Sequence, residues 1–303
     1  MTPLNRSFVV LVALAFMVSG GIMLAPLASA DSLNTADNFA VLAGSTITNA
    51  GAGVLGATVI TGEMGVSPGT ACTGFSSCPT TGPGTSGTVH LADSVALQAQ
   101  NDLTTAYTTF GGLSGTLEPN DLTGLSLGPG VYNVGAASLA GTLTLNDGGV
   151  AGSDFIFLIS SSLTTSPGAD INVSGLSPSD ELFWVVGSTA TLGDNTAFDG
   201  NILALTSINF DPGATDICGR ALAQNGAVTF AGQDSTSLIE NQVSTTCSGT
   251  LAGSNGLAGG ATTTGGGGGT TSVPEPSTLL LLALGLASLF GMARFSRPKL
   301  SRA

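Results

Sequence analysis

The chain has 303 residues and a formal net charge of −13, and five of its six basic residues lie in the first ten or last ten positions. Between Asp31 and Ser272 there is one Arg against 18 acidic residues, so this span carries a formal charge of −17. Such a charge repels nucleic acid and anionic lipid surfaces, and it excludes both as partners.

The first 30 residues have the features of a signal peptide. Arg6 precedes an apolar run over residues 8–18, and Ala28-Ser29-Ala30 supplies the small residues of a signal peptidase site. We therefore expect signal peptidase to remove residues 1–30, so that the exported chain begins near Asp31.

From Asn38 to about Cys247 the chain consists of short runs rich in β-branched and aromatic residues, separated by Gly, Pro, Asn and Asp. Examples lie at 57–61, 141–145, 154–159, 182–186 and 201–206. Runs of about five residues that end at turn formers predict strands. Because the strands are short and pairs of Thr, Ser or Asn spaced by two recur, the pattern favours stacked rungs over a sandwich or closed barrel.

One segment follows a helical period instead. Over residues 89–110 apolar side chains recur every three or four positions, Thr88 is in place to cap the start, and Gly111-Gly112 ends the pattern. The spacing predicts a single amphipathic helix of about six turns.

The four cysteines of an exported chain predict disulfides. Cys72 and Cys78 lie in one loop rich in Gly, Ser and Pro, and Cys218 and Cys247 flank the last strand region. Of the three possible pairings we favour Cys72 with Cys78 and Cys218 with Cys247. Zinc is disfavoured because the chain has one His and no Cys-x-x-Cys pair. No metal or cofactor is expected.

After Cys247 the composition changes abruptly. Residues 249–272 are rich in Gly and Thr and have few side chains to bury, which predicts a flexible linker after a domain that spans residues 31–248. The predicted domain is therefore loosely tethered to whatever holds the C-terminal end.

The C-terminal tail, residues 273–303, contains three parts in order. These are Pro274-Glu275-Pro276, an apolar segment at 278–293 and a basic cluster. The tail resembles the PEP-CTERM sorting signal, which implies a membrane segment, recognition by an exosortase and cleavage near the Pro-Glu-Pro motif. An ordinary single-span anchor is the alternative. Either one exports the chain, which is expected first at the inner membrane and then at the cell surface or outside the cell.

Several blocks of the middle region resemble a known family. They lie at residues 38–48, 65–75, 92–107, 128–132, 155–157, 183–193, 200–208 and 219–229. In this order they resemble the β-helical ice-binding protein family of cold-adapted bacteria, fungi and diatoms. The resemblance implies a mostly β fold, a right-handed, discontinuous parallel β-helix of triangular section with one long α-helix packed alongside. It also implies adsorption to ice, which arrests crystal growth or recrystallisation.

Repeated Thr side chains are the candidate contacts to an ice crystal surface. Stacked rungs are about 4.7–4.9 Å apart and alternate residues of a strand about 6.6–6.8 Å apart, so a repeated Thr-x-Thr pattern makes a grid. Thr suits this role because it has a hydroxyl, a methyl and a stiff χ1. The candidates are Thr46, Thr48, Thr58, Thr61, Thr70, Thr73, Thr142, Thr144, Thr189, Thr191, Thr206 and Asn209. For each pair the alternative is a Thr that favours strands and faces ordinary solvent.

The motif around Thr70 has a second connection with the family. Residues 70–73 read Thr-Ala-Cys-Thr, which fits the T-A/G-x-T/N pattern described for some bacterial members. A four-residue pattern this loose also arises easily by chance.

Few residues suggest other chemistry. His90 has no nucleophile or metal partner nearby in sequence, and we expect a structural role. Asp194 and Asp199, like Asp180-Glu181, are candidate paired carboxylates for polysaccharide cleavage. Asp194 and Asp199 flank Thr196 in turns, where Asp is common, so we expect no enzyme.

Three further residues are assigned structural positions from their surroundings in the sequence. Phe183 and Trp184 lie in an apolar run and are expected in the core rather than on a sugar-binding platform. Arg220, the one cation of the exported domain, is expected to pair with a neighbouring acid such as Asp216.

The sequence thus predicts a secreted, non-enzymatic ice-binding protein. The alternative is a structural or adhesive component of the extracellular matrix with exopolysaccharide as its partner, because the PEP-CTERM system accompanies exopolysaccharide production. A flat, uncharged face several rungs long favours ice. A groove with exposed aromatic side chains and carboxylates favours a sugar.

Overall fold

The computed structural model describes residues 33–51, 58–75, 78, 87–233, 241–248, 251–252 and 256–257. Intrachain contacts divide the sequence into Met1–Thr263 and Thr264–Ala303, and every described residue belongs to the first unit. The predicted signal peptide, the sorting tail with its membrane segment 278–293, and most of the predicted linker lie outside the described residues. Within the described ranges no helix is long and apolar enough to cross a membrane.

The described residues are mostly in short strands, with one α-helix and one short 3-10 helix. In chain order the elements are η1 (Asn34–Asn38), β1 (Phe39–Ala43), β2 (Thr46–Asn49), β3 (Val59–Thr61), β4 (Glu63–Val66), β5 (Ala71–Thr73), β6 (Val89–Leu91), α1 (Ser94–Gly111), β7 (Thr116–Leu117), β8 (Ser126–Leu127), β9 (Gly130–Val134), β10 (Ala137–Leu139), β11 (Thr142–Asn146), β12 (Asp154–Ile159), β13 (Leu163–Thr165), β14 (Asp170–Gly175), β15 (Glu181–Val186), β16 (Ala190–Leu192), β17 (Ala197–Ala204), β18 (Ile208–Phe210), β19 (Thr215–Ala223), β20 (Val228–Phe230) and β21 (Gln242–Ser244).

The strands stack in three parallel runs. One run is a seven-stranded sheet, β10-β13-β16-β18-β20-β2-β5. The other two belong to a 14-stranded sheet: a helix-covered run, β6-β4-β1-β19-β17-β15-β12-β9-β7, and a second run, β8-β11-β14-β17-β19-β21-β3. β17 and β19 bend and belong to both. Because successive strands of the chain visit the three runs in turn, the fold is a three-sided parallel β-helix, and the predicted fold class is confirmed.

The order of rungs along the axis does not follow the order of the sequence. β1, the first strand, lies between β4 and β19, so the N-terminal rungs stack on a late rung of the chain. Val41 pairs with Ala221 in this junction. The β-helix is therefore discontinuous, as predicted from the resemblance.

Aromatic side chains fill the interior of the β-helix. Tyr132, Phe157 and Trp184 stack on successive rungs, with ring centroids 5.2 Å and 4.1 Å apart. Trp184 is fully buried, and its Nε1 donates to the backbone oxygen of Asp199 at 3.1 Å. Each such ring removes on the order of 150–250 Å² of surface from water, so these stacks dominate core stability.

The α-helix covers one side of the β-helix with its apolar stripe. Ala99, Leu103, Ala106 and Phe110 are buried against the helix-covered run. Phe110 packs on Phe183, with ring centroids 4.6 Å apart. The prediction that Phe183 and Trp184 are core residues is confirmed, with Phe183 beneath the helix and Trp184 inside the β-helix.

The predicted start of the helix, near Val89 with Thr88 as its cap, is wrong. Val89–Leu91 forms β6, which pairs with β4 at the edge of the sheet. Ala92 then adopts a left-handed conformation with φ of 51°, which interrupts a helical path. The cap is Asp93, whose Oδ1 accepts from Val95 N at 3.0 Å and Ala96 N at 2.9 Å.

The predicted ion pair between Arg220 and Asp216 is also wrong. Arg220 Nη2 lies 2.7 Å from Asp37 Oδ1, and the Arg side chain is fully buried. The reason is the junction of rungs: β1 pairs with β19, which brings the segment before β1 next to Arg220 from the far end of the sequence.

Both predicted disulfides are present. Cys72 is bonded to Cys78 with their Cα atoms 5.7 Å apart, and Cys218 to Cys247 with their Cα atoms 4.6 Å apart. The second bridge ties β19 to the segment that follows β21.

The packed domain continues beyond Ser248, where the sequence placed its end. Leu251 and Leu257 are 3% and 0% exposed and belong to the interior cluster. The two leucines are isolated in a segment of low hydrophobicity, so composition alone placed them in the linker.

Candidate functional site: a face of hydroxyl side chains in register

The seven-stranded sheet presents a row of side chains to solvent, one from each strand. They are the central residues of the three-residue strands β10, β13, β16, β18 and β20, the third residue of β2 and the last residue of β5. These side chains are in register from one end of the sheet to the other. The central row is Ser138, Thr164, Thr191, Asn209, Thr229, Thr48 and Thr73. All seven are at least partly exposed. The row is thus an uninterrupted ladder of short polar side chains, five of which are Thr.

A second row runs beside the first, two residues earlier along the chain at each rung, and most of its members lie just before the strand. Backbone hydrogen bonds such as Leu163 N to Thr189 O at 3.2 Å and Ala190 N to Ser207 O at 3.0 Å keep this row in register. The flanking row is Ala136, Ser162, Thr189, Ser207, Ala227, Thr46 and Ala71. We call the two rows together the hydroxyl face.

The hydroxyl face is rigid because the residues between its exposed positions fill the core. Strands β10, β16, β18 and β20 all alternate buried, exposed or half-buried, buried. In β18 the buried neighbours of Asn209 are Ile208 and Phe210, and in β20 those of Thr229 are Val228 and Phe230. Close-packed interiors leave little freedom to move, so the exposed row keeps the spacing of the backbone ladder.

Glycine at the vertex that leads into this sheet allows neighbouring rungs to approach closely. A Cβ added to Gly226 would lie 2.3 Å from Thr206 O, and one added to Gly69 would lie 1.9 Å from Ser45 O. Both contacts are to backbone, which cannot move aside. These positions therefore require Gly for the rungs to stack at this vertex.

Neither row of the hydroxyl face contains a charged or aromatic residue. Carboxylates border the rows at two places: the exposed Asp121 forms an isolated parallel bridge with Ser138 at one end of the central row, and Asp211 lies two residues after Asn209. An uncharged surface of hydroxyls and methyls does not hold water by charge. Its regular spacing is suited to an ordered lattice of water molecules.

The second run of the 14-stranded sheet has different chemistry, and we call its outer side the carboxylate face. A cleft of about 270 Å³ lies there, and its lining includes Asp170, Asn172, Asp199 and Leu251. Burial, and secondarily the Asp170 carboxylate, raises the pKa of Asp199 to about 7. Ile217 is also exposed on this side. The carboxylate face is neither flat nor uncharged.

The third side is covered by the helix and is closed to a flat partner. Where the helix ends, a groove of about 510 Å³ is lined by residues that include Tyr107, Leu113, Leu117 and Leu158. Only the hydroxyl face combines regular spacing, solvent exposure and absence of charge among the described residues of the three sides.

A sequence profile described as "Ice-binding-like" matches residues 41–236, which is most of the described domain. The chain belongs to the ice-binding-like family. A second profile, the PEP-CTERM protein-sorting motif, matches residues 272–297. That motif implies export and processing at a membrane, and the recognition of both segments from sequence is confirmed.

Two relatives cover most of this chain. An ice-binding protein from Nostoc sp. (strain HG1) is 40% identical over 297 residues, which is 95% of this chain and 96% of the relative. The crystal structure of an ice binding protein from an Antarctic biological consortium is 39% identical, with a TM-score of 0.60 over 70% of this chain and 89% of that one.

A fungal member of the family shows the same fold. The ice-binding protein from the Antarctic ascomycete Antarctomyces psychrotrophicus is 32% identical, with a TM-score of 0.60 over 71% of this chain and 98% of that one. The matched part of this chain therefore spans nearly the whole of that relative.

Six of the twelve predicted contact residues lie on the hydroxyl face of this family domain: Thr46, Thr48, Thr73, Thr189, Thr191 and Asn209. Thr70 and Thr206 lie at its edge, at the vertex where each chain segment turns into the sheet. The assignment of these eight residues as ice contacts remains a prediction.

The other four predicted residues are not on this face. Thr61, Thr142 and Thr144 belong to β3 and β11 of the carboxylate face. The prediction that Thr58 contacts ice is wrong, because this residue is 1% exposed and its Oγ1 donates to Asn49 Oδ1 at 3.1 Å. A buried, hydrogen-bonded Thr has no contact with an external surface, and its spacing from Thr61 gave no sign of this.

The pattern of Thr pairs does not include Ser138, Thr164 and Thr229 of the central row. Each is the middle of an apolar–hydroxyl–apolar triplet or its equivalent: Ala137-Ser138-Leu139, Leu163-Thr164-Thr165 and Val228-Thr229-Phe230. A three-residue strand that buries both ends exposes only its centre. The triplet, rather than the Thr pair, is the signal that identifies this row.

The residues considered for other chemistry have structural contacts. His90 Nδ1 lies 2.7 Å from Asp93 Oδ2, and its ring packs on Phe39. Asp180 is buried and accepts from Ser153 N at 2.9 Å and Ser177 N at 2.8 Å, which braces a turn. Within the described ranges no three His, Cys, Asp or Glu side chains are placed to hold a metal ion.

Proposed function

We propose that this domain binds ice through its hydroxyl face and that it does so without catalysis. The single observation that supports this most strongly is the central row, in which seven short polar side chains stand in register on a parallel sheet. Rung spacing of about 4.7–4.9 Å in one direction and residue spacing of about 6.6–6.8 Å in the other make the face a grid.

The chemistry of the row supports adsorption to ordered water. A Thr hydroxyl donates to and accepts from water, while the methyl beside it excludes water, and χ1 of Thr is restricted. Ordering of side chains on binding therefore has a small entropic cost here. Membership in the ice-binding-like family and the names of its relatives agree with this function.

The alternative of an exopolysaccharide-binding matrix component has weaker support. The cleft on the carboxylate face has two carboxylates, but none of the described residues that line it is aromatic. Sugar rings are commonly bound by stacking on aromatic side chains, and this cleft offers none for that purpose. We propose ice as the partner of the exported domain, with signal peptidase and an exosortase acting on its two ends.

The test of this function is ice-affinity partitioning of the exported chain. A dilute solution is frozen slowly from a cold surface, and the protein in the ice is compared with that in the remaining liquid. A non-binding acidic protein of similar size is the control. We expect enrichment in the ice relative to that control, and equal exclusion of both proteins would contradict the proposal.

A further inference from the structure

The central row of the hydroxyl face has one more position beyond Ser138, and a carboxylate occupies it. Asp121 and Ser138 form a parallel bridge, so the two residues lie side by side in register. Ser138 N donates to Asn120 O at 2.7 Å, and Leu122 N donates to Ser138 O at 2.9 Å, which closes the bridge. Asp121 thus flanks Ser138 on one side as Thr164 does on the other.

The side chain of Asp121 lies on the same outer side of the β-helix as the central row. Leu122, the next residue, is 1% exposed and belongs to the interior cluster with Leu139. Because successive side chains of an extended segment point to opposite faces, Asp121 points outward, and it is exposed like Ser138. One rung of about 4.7–4.9 Å separates the two residues. By position, Asp121 is the eighth place of the central row.

Hydrogen bonds hold the Asp121 carboxyl in its ionised form. Thr123 N donates to Asp121 Oδ1 at 3.0 Å, and hydrogen bonds from the hydroxyl and the backbone of Thr123 lower the pKa of this carboxyl. Thr123 Oγ1 also accepts from Ala140 N at 2.9 Å, which ties this turn to the rung of Ser138. At neutral pH this end of the row therefore carries a negative charge.

We propose that Asp121 is a boundary residue, which ends the ice-binding surface on the Ser138 side. The proposal rests on the ice-binding function proposed above. An ionised carboxylate holds its own shell of water strongly, and contact with an ice lattice would require it to give up part of that shell. The seven uncharged residues of the central row have no such cost. Asp121 has the register of an ice contact without the chemistry of one, so the usable row has seven places.

The two ends of the central row differ in charge. The far end is the hydroxyl of Thr73, whereas the segment Glu118-Pro119-Asn120-Asp121 brings two carboxylates and a Pro to the near end. Charged side chains and Pro at the edge of a sheet also hinder pairing with a second copy of the chain. Edge protection of this kind needs a charge at the edge, but it does not need that charge in register with the row.

The test removes the charge at each acidic position of this end. Asp121→Asn keeps an Oδ1 that accepts from Thr123 N, and it places in the row the residue type already present at Asn209. Glu118→Gln is the matched control, since it removes one negative charge from the same segment outside the row. Ser138→Asp is the reverse variant, which moves the charge one rung into the row.

Thermal hysteresis, ice-affinity partitioning and molar mass by light scattering are measured for the exported chains at equal concentration, and thermal unfolding checks that each variant keeps the fold. We expect Asp121→Asn to raise thermal hysteresis about 1.5-fold, because the hydration cost of the charge is gone. Glu118→Gln should stay at the wild-type level, and Ser138→Asp should fall to about half of it or lower. All variants should keep the molar mass of the wild type.

Four results would overturn the boundary role and leave ice binding in place. They are an unchanged Asp121→Asn, an equal gain in Glu118→Gln, full activity in Ser138→Asp, and a gain in Asp121→Asn that is confined to a fraction of higher mass. The last of these would assign Asp121 to edge protection. If the wild type itself stays in the liquid and shows no thermal hysteresis, the function proposed above is wrong.

Discussion

Thr73 Oγ1 donates a hydrogen bond to Thr48 Oγ1 across 3.3 Å, from one strand of the seven-stranded sheet to the next. The two residues are paired in register by the backbone. At this end of the central row the hydrogen bond fixes the orientation of the two hydroxyls, while the backbone sets the repeat from rung to rung. A surface with this repeat meets a crystal lattice without prior rearrangement, which lowers the entropic cost of adsorption.

The helix cap gives a first prediction with a matched control. Asp93→Ala removes the acceptor for Val95 N and Ala96 N, and we expect it to lower the free energy of unfolding by about 0.5–2 kcal/mol. Thr88→Ala, at the cap position indicated by the sequence, should change it by less than about 0.5 kcal/mol. Chemical denaturation measures both, and equal losses would contradict the assignment of Asp93.

The buried ion pair of Arg220 with Asp37 gives a second prediction, on stability. Arg220→Met leaves the Asp37 carboxylate without its buried partner, and we expect a loss of about 3–5 kcal/mol in the free energy of unfolding. Asp37→Asn should cost less, because the Asp37 backbone oxygen still accepts from Nε and Nη2. Urea denaturation measures the free energy of unfolding of both variants, and a larger loss in Asp37→Asn would contradict this prediction.

The buried carboxyls predict how stability depends on pH. The pKa of Asp199 is raised to about 7 by burial, and burial also raises that of Asp216, with Asp199 adding to the shift and Arg220 opposing it. The unfolded chain has an ordinary Asp pKa of about 3.9, so from about pH 4 to pH 7 it loses a proton that the folded state keeps. The stability that the protonated carboxyls of Asp199 and Asp216 contribute is therefore complete below about pH 4, and it is lost as pH rises through their pKa values in the folded state.

Asp199→Asn tests this dependence, because the amide does not titrate. Thermal unfolding of the wild type should show lower stability at pH 7 than at pH 4.5, and the difference should shrink in the variant. An unchanged difference would show that Asp199 is not a source of the pH dependence.

The Cys218–Cys247 bridge predicts a loss of stability on removal. It joins residues 29 apart, and the chain-entropy model assigns such a loop about 3–4 kcal/mol. Replacing both cysteines by Ser should lower the midpoint of chemical unfolding accordingly. The matched pair is Cys72 and Cys78, only six residues apart, whose removal should cost less. The opposite order would contradict the loop-length argument.

Much of the fold was accessible from the sequence because local pattern and packing agree there. The run Leu182-Phe183-Trp184-Val185-Val186 is apolar throughout and became a strand buried on both faces, as β15. The helical period of Ala99, Leu103 and Ala106 likewise predicted α1, where all three residues are buried. What failed was set by distant parts of the chain: Arg220 meets Asp37 only because β1 stacks on β19.

The site was only partly predictable for a related reason. Thr142 and Thr191 look alike in sequence, each beside apolar residues and within two positions of another Thr. Which of them shares a face with Thr48 depends on how many residues each turn contains, and that determines which of three sides a strand joins. Spacing along one strand identifies an exposed Thr but does not identify its neighbours on other rungs.

The central claim is that ice meets the hydroxyl face and no other side. The most direct measurement compares thermal hysteresis and ice-affinity partitioning of Thr191→Tyr, in the central row, with Thr142→Tyr, at an exposed position on the carboxylate face. A bulky ring on the grid should hold neighbouring rungs off the ice, while either exposed substitution should change stability by less than about 0.5 kcal/mol. We predict that Thr191→Tyr falls to the level of a non-binding protein and that Thr142→Tyr keeps wild-type activity. Full activity in Thr191→Tyr, or its loss in Thr142→Tyr alone, would contradict the account.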